Sequence, residues 1–238
     1  MRISNFIPFL SMPEDSRHIP VRLDDWFAVG AARTGFALNF DDLSIITALI
    51  VIGLGVFTYL YAIFYMKRRD DSVPPHFFAY LNLFIFFALV LMLGDNMPFA
   101  FLGWAGVGLC SYMLLGFRYE DMENIGARRR ALIVNIVSDM CSIFAACIIA
   151  IQVGVLNFVE IEESAQVISS PDAEIAIILL VVGVIIKSVV LPLCVWLPRT
   201  MRAYRPPLIM VHSAAMVTAG VYLLVRMSFL YAQWKFYW

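Results

Sequence analysis

The sequence predicts an all-α polytopic membrane protein with about six transmembrane helices, and three observations carry that prediction. Hydrophobic residues make up 62% of the 238 positions and charged ones 15%, with a mean hydropathy of +0.83, a balance that no soluble surface and core accommodate together. The apolar residues come in runs of about 20, enough at ~1.5 Å per helical residue to cross the ~30 Å of a bilayer. The basic residues of the short loops gather between alternate runs, the pattern by which a multi-pass chain marks its inner side.

Residues 1–40 are read as an extramembrane or interfacial arm, because Pro8, Pro13 and Pro20 with Asp24 and Asp25 interrupt any continuous span. The apolar stretch Phe6–Leu10 is too short for a secretory signal core, so insertion is expected to be directed by the transmembrane helices themselves. The transmembrane part, residues 43–229, divides into Leu43–Met66, Phe77–Leu93, Pro98–Phe117, Ala131–Val153, Ala173–Leu197 and Pro207 to about Phe229, followed by a short tail over residues 230–238. Asp95, Asn96 and Pro98 form a tight hairpin, with proline placed to start a helix. Alternating the spans puts Lys67 to Arg69, Arg118, Arg128 to Arg130, Arg199, Arg202 and Arg205 on one face. The other face carries Glu160, Glu162, Glu163 and Asp172. The basic face is then the inner one, and both termini lie outside.

Several functions are excluded or disfavoured by composition. A net charge of −1 offers no electrostatic footprint for nucleic acid. Cys110, Cys141, Cys147 and Cys194 are scattered singly through apolar runs, which reads as free thiols rather than a metal site. His18, His76 and His212 are too few for paired haem ligation, and no HExxH, P-loop or nucleophile-base arrangement is present. Gly106 and Gly108 mimic part of a dinucleotide fingerprint, but they sit inside a membrane run, where small residues serve close helix packing.

The chemistry is expected where charge enters hydrocarbon. Lys187 lies thirteen residues beyond Glu174, roughly 20 Å along a helix, so its ammonium must face protein or a wet cavity. Pro192 removes a backbone donor and predicts a broken helix just past the lysine. Asp139, about eight residues into the fourth span, needs a cation or a proton, and Lys187 is the candidate partner. That pair reads either as a static salt bridge or as a proton station. His212 titrates in a range that suits a relay. Arg226 is expected to snorkel to the outer face. Ser111, Ser138, Ser142, Ser188, Ser213 and Thr218 either hold water between these groups or bond their own helix backbones.

Tyr80 to Phe84, Leu102 to Tyr112, Lys187-Ser188 with Pro192 and Trp196 to Pro198, and His212 to Tyr222 resemble NADH dehydrogenase subunit 5. That family is the distal antiporter-like membrane subunit of respiratory complex I, and the resemblance runs in order from about Asp42 to Arg226. It implies that the second to sixth spans form a five-helix antiporter-like repeat whose discontinuous helix breaks near Pro192. It implies a membrane-arm subunit that contributes to proton translocation coupled to NADH:ubiquinone electron transfer, with Lys187, His212 and Asp139 on the proton pathway. No cofactor is expected in this chain; NADH, FMN, iron-sulfur clusters and ubiquinone belong to other subunits. Partners implied are the other complex I membrane-arm subunits and the lipid bilayer, with no nucleic acid. The location implied is the mitochondrial inner membrane with basic loops on the matrix side, or the bacterial plasma membrane.

Three residues depart from the family pattern. Ala105 stands where the family has a glutamate that pairs with the central lysine, Ile136 where an arginine is usual, and Arg199 where an aspartate is usual. Either Asp139 has taken over as partner, or this half no longer moves protons by that route and survives as a structural remnant holding the membrane arm together. A subunit of a cation/proton antiporter is the other alternative. Because the family continues through a second repeat, a separate chain supplying that repeat is expected, making this an N-terminal piece of a split subunit.

Overall fold

The computed structural model describes residues 19–29, 32–68, 75–115, 123–164, 171–188 and 216–232. Among the described residues two strands, β1 (Ile19–Val29) and β2 (Ala32–Phe40), precede eight helices: α1 (Asp42–Arg68), α2 (Pro75–Leu93), α3 (Met97–Leu115), α4 (Glu123–Val153), α5 (Phe158–Ser164), α6 (Pro171–Lys187), α7 (Val217–Arg226) and α8 (Ser228–Ala232). Four helices, α1 to α4, are long and apolar enough to cross a membrane within the described residues. The chain is a multi-pass membrane protein with a helical membrane part. The fifth expected span is described as far as Ser188 and the sixth from Met216, so the break near Pro192 lies outside the described residues, as does His212.

Within residues 19–40 the described strands form an antiparallel hairpin, pairing Ile19 with Phe40 and Val29 with Ala32, with register shifts after Arg22 and Asp25. Alternation in Phe36, Leu38 and Phe40 against Ala37 and Asn39 is the strand signal, and the glycine at position 30 of the sequence is the turn signal. Both are overshadowed in sequence by the much longer apolar runs that follow.

Local chemistry sets the helix starts. Asp41 caps α1 by accepting the Ser44 N–H at 2.8 Å, and Asn96 caps α3 by accepting the Phe99 N–H at 2.9 Å. The expected tight hairpin between α2 and α3 is present. Helix α4 contains the expected span, Ala131–Val153, as its apolar part and begins before it, at Glu123, because Ala127 to Arg130 are strong helix formers that hydropathy assigns to a loop. It ends at Gly154, whose φ of +75° suits a residue without Cβ, and the Gly154 N–H still reaches the Ala150 carbonyl at 2.9 Å. The short helix α5 was not foreseen. Its signal is Asn157 three residues before Glu160, whose carboxylate accepts from the Asn157 Nδ2 at 2.8 Å.

The bundle is stitched at the end where these turns meet. The Met97 N–H donates to Leu156 O at 2.9 Å, the Phe158 N–H to Asp95 O at 3.2 Å, and the Asp95 N–H to Ala37 O at 3.1 Å. Hairpin, α2–α3 turn and α4–α5 turn are thereby tied by backbone bonds. Helix α7 joins them through its side chains. Tyr222 OH donates to Met92 O at 2.8 Å and lies 3.3 Å from Ser44 Oγ, while Arg226 pairs with Asp41 and stacks 5.2 Å over the Phe158 ring. Arg226 therefore does not snorkel freely as expected; it clasps the start of α1.

That clasp makes one part of the fold acid-sensitive. Burial alone would raise the Asp41 carboxyl, but the Arg226 charge and the hydrogen bonds from Ser44 and Arg226 outweigh it and hold it below 3.8. The pair then stabilises fully above the ordinary carboxylate range, and its contribution is lost as pH falls through the lowered value. Amides of Ile45 and its neighbours should gain exchange below pH 3.8, after correction for intrinsic rates. An Arg226→Leu variant should show faster exchange there at neutral pH and no such acid step.

Candidate functional site

Three helices converge on one lysine. On α4, Asn135, Ser138, Asp139 and Ser142 recur at three- and four-residue spacing and so share a face. On α6, Leu180, Gly183, Val184 and Lys187 do the same, and all four are buried. On α3, Trp104, Gly108 and Ser111 form the third wall. Packing of α4 along α6 is close because Gly183 has no side chain; a Cβ there would lie 2.6 Å from Ser142 Oγ and 3.0 Å from Ser138 O. Ser138 Oγ donates to Gly183 O at 2.6 Å, which pins the two helices one turn from the lysine.

Lys187 is 2% exposed, among the most buried large side chains of the protein. Its Nζ donates to Asp139 Oδ1 at 2.6 Å and to the Trp104 carbonyl at 2.5 Å, and it sits 4.5 Å from the centroid of the Trp104 ring. The ammonium thus has a carboxylate, a carbonyl dipole and an aromatic face around it, three kinds of group that favour a cation. Asp139 keeps 16% of its side chain exposed, so the carboxylate is the more open member of the pair. Gly108 lets α3 approach: a Cβ there would stand 3.0 Å from Lys187 Nζ and 3.5 Å from Asp139 Oδ2.

Of the sequence-predicted residues, Lys187 and Asp139 are brought together, while His212, Pro192, Arg199 and Ser213 lie outside the described residues. Ala105 is half-buried beside Trp104 and carries no charge, leaving Asp139 as the acid that meets the lysine. Ile136 is 46% exposed on the outward side of α4, away from the wall that faces Lys187. Ser111 and Ser142 bond backbone carbonyls of their own helices, Gly108 O at 2.8 Å and Ser138 O at 3.0 Å, whereas Ser138 bonds across to α6.

Two participants escaped sequence reasoning. The Trp104 carbonyl is invisible in a sequence, since which carbonyl faces a buried cation depends on helix rotation. Asn135 bonds Gly108 O at 3.3 Å and Ser111 Oγ at 3.2 Å through its Nδ2. Its signal was available: it lies one helical turn before Asp139, on the same face.

Chemically, the arrangement can hold a proton in a low-dielectric place and release it when a neighbour's charge changes. Of Cys110, Cys141 and Cys147, all free thiols, only Cys110 is buried.

Comparison with known proteins follows the same lines. A family model described as "NADH-Ubiquinone oxidoreductase (complex I), chain 5 N-terminus" matches residues 26–78, and one described as "NADH:quinone oxidoreductase/Mrp antiporter, TM" matches residues 94–238. The chain is 41% identical over 204 residues to NADH-quinone oxidoreductase subunit L of Escherichia coli, covering 84% of this chain and 33% of that protein. It is 40% identical over 222 residues to subunit L of Pseudomonas aeruginosa, covering 92% and 36%. To NADH-ubiquinone oxidoreductase chain 5 of Metridium senile it is 35% identical over 208 residues, covering 87% and 34%. The chain spans about a third of the length of these relatives. Among solved structures, one of the Mrp complex from Dietzia sp. DQ12-45-1b superimposes with a TM-score of 0.79 at 26% identity, over 94% of this chain and 24% of that one. The membrane-bound sulfane sulfur reductase, an archaeal respiratory membrane complex, shares the fold with a TM-score of 0.73 at 20% identity, over 91% and 33%.

Proposed function

We propose a function from one premise: this chain belongs to the NADH:quinone oxidoreductase/Mrp antiporter family of membrane subunits, of the subunit L or chain 5 type. The proposal is that it serves as a membrane-arm subunit of a respiratory complex I and carries one proton station of its antiporter-like repeat. The observation that supports this is the buried contact of Lys187 with Asp139, which survives although Ala105 removes the acid usual beside Trp104.

The working of the site follows from its charges. With Asp139 ionised, its carboxylate holds the Lys187 ammonium against α4. A proton arriving on the partly exposed carboxylate neutralises it and removes the Coulomb attraction that offsets burial of the ammonium. Lys187 Nζ then releases its proton more readily, toward the helix break near Pro192 and on to His212. Those two onward steps belong to the proposal, as both residues lie outside the described ones.

Redox groups, NADH, FMN, iron-sulfur clusters and ubiquinone, are proposed to reside in other subunits, and this chain to bind none. The partners proposed are the other membrane-arm subunits and a second antiporter-like repeat. Mass spectrometry of the gently isolated assembly decides how that repeat is supplied: a distinct second-half chain supports a split subunit, and one longer polypeptide overturns it. The location proposed is the mitochondrial inner membrane, with the basic loops on the matrix side. The Escherichia coli and Pseudomonas aeruginosa relatives support the bacterial plasma membrane equally, and fractionation separates the two.

Lys187→Met in the assembled complex tests the function. Quinone reduction with a lowered proton-to-electron ratio is the expected result. Normal assembly with an unchanged ratio would instead favour a structural remnant that does not pump. A cation/proton antiporter subunit is a further reading, favoured by the likeness to the Mrp complex. It predicts sodium-dependent transport with no quinone-reducing companions.

A further inference from the structure

Lys187 has three ammonium hydrogens, and the described residues supply two acceptors, the Trp104 carbonyl and Asp139 Oδ1. Beside the Trp104 ring, one donor is left without an oxygen or nitrogen acceptor among the described residues. On the opposing wall, Asn135 is 3% exposed and donates through Nδ2, but its Oδ1 is buried and meets no donor among the described residues. One acceptor is therefore left over too. The two are neighbours: Lys187 Nζ and Asn135 Cβ lie 3.0 and 3.5 Å from the point where a Gly108 Cβ would stand, and Asn135 is one turn of α4 from Asp139. A buried amide oxygen without a partner is destabilising, and an unmatched hydrogen on a charged group more so, so both groups have strong reason to be matched.

We propose that one bound water joins Asn135 Oδ1 to the third hydrogen of the Lys187 ammonium, making Asn135 a positioning residue of the proton station. Water is the ligand that fits, because it accepts from the ammonium and donates to the amide oxygen at once. The lysine is then held from three directions, by α3 through Trp104, by α4 through Asp139, and by α4 again through Asn135 and water. When Asp139 takes up a proton, the Asn135 arm keeps its acceptor, so the ammonium stays near α4 instead of losing all its contacts with that helix. Amide chemistry suits this role, since Asn135 does not change charge as Asp139 does.

The groups facing Lys187 limit what else can set its behaviour. Among the described residues, α4 presents Asp139 as the titratable partner, and α3 presents Trp104, Gly108 and Ser111, with Cys110 buried on the same helix. On α7, Gly220 lies against Val184 of α6 and Ser188 just past its end, and its one charged residue, Arg226, is committed to Asp41 at the far end.

The role rests on the proposed function, and its test separates the two. The first measurement is a structure of the assembled complex at a resolution that shows ordered water. Density within hydrogen-bond distance of both Asn135 Oδ1 and Lys187 Nζ supports the proposal, and its absence overturns it whatever the complex does. The second compares Asn135→Leu, which removes the acceptor, with Asn135→Asp, which keeps an oxygen there but loses the Nδ2 bonds to Gly108 and Ser111. Asn135→Leu should move the alkaline limb of proton-coupled turnover down by about one pH unit, the scale of one hydrogen bond to a charged group. Asn135→Asp should not move it downward. Equal downward shifts in both variants would mean that the Nδ2 bonds matter and the acceptor does not, which overturns the proposal. If Lys187→Met also leaves the proton-to-electron ratio unchanged, the functional reading has failed, while the water observed between the two side chains still stands.

Discussion

Asp139→Asn is expected to destabilise the isolated assembly by about 3–5 kcal/mol at neutral pH, the scale for stranding one member of a buried ion pair. Lys187 is 2% exposed and has no other carboxylate within bonding distance among the described residues, so the loss is not absorbed locally. The readout is the half-life of the complex at elevated temperature, which follows kinetic stability in large assemblies. The proton-to-electron ratio is measured on the same preparation and should fall. The informative variant is the double one. Ala105 follows Trp104, whose carbonyl already bonds Lys187 Nζ, so Ala105→Glu places a carboxylate beside the same ammonium from α3 instead of α4. Added to Asp139→Asn, it should restore much of the lost half-life and part of the coupling. Asp139→Asn with unchanged half-life and ratio would show that this pair is neither structural nor functional.

Gly103→Ala is the second large effect, and its cause is purely steric. A Cβ at Gly103 would stand 2.4 Å from Leu91 N and 2.8 Å from both Leu91 Cα and Phe87 O, all backbone atoms of α2. Backbone cannot rotate aside, so α2 and α3 must separate along their contact, at a cost of about 3 kcal/mol. Because the α2–α3 turn also carries the backbone bonds to Leu156, Phe158 and Ala37, the damage should spread to the hairpin and to α5. Yield of assembled complex and its thermal half-life both measure this. Gly53→Ala is the matched control: nothing lies within 4 Å of its added carbon, and the helix gains ~0.5–1 kcal/mol of propensity, so assembly should be unchanged or improved. A Gly103→Ala complex as stable as the Gly53→Ala one would refute the close approach of α2 and α3.

Sequence alone was a good guide to what hydrophobicity and helix periodicity control. The spans from Leu43, Phe77 and Pro98 begin within two residues of α1, α2 and α3, because a membrane helix must satisfy its own backbone and can do so only over an apolar run of sufficient length. It gave the membrane-crossing part of α4, Ala131–Val153, but not the helical turns that precede it, and it missed α5 and the hairpin. In those segments the deciding interactions are helix propensity, the Asn157–Glu160 side-chain bond and a backbone ladder, none of which hydropathy reports.

The chemical residues divide along the same line. That Lys187 and Asp139 must each find a partner was determined by the sequence, since a charge deep in an apolar run has no water to turn to. That they find each other, with the Trp104 carbonyl and ring completing the cradle and Asn135 beside it, was decided by the packing of α3, α4 and α6. The same holds for Arg226, whose position predicts only a need for solvation, while the fold returns α7 to the first turn of α1 and hands it Asp41. Spacing along a helix determines which side chains share a face. Which faces meet, and which carbonyl a buried cation touches, depends on contacts 48 to 185 residues apart, such as those of Asp139 with Lys187 and of Asp41 with Arg226, and only the folded chain makes them.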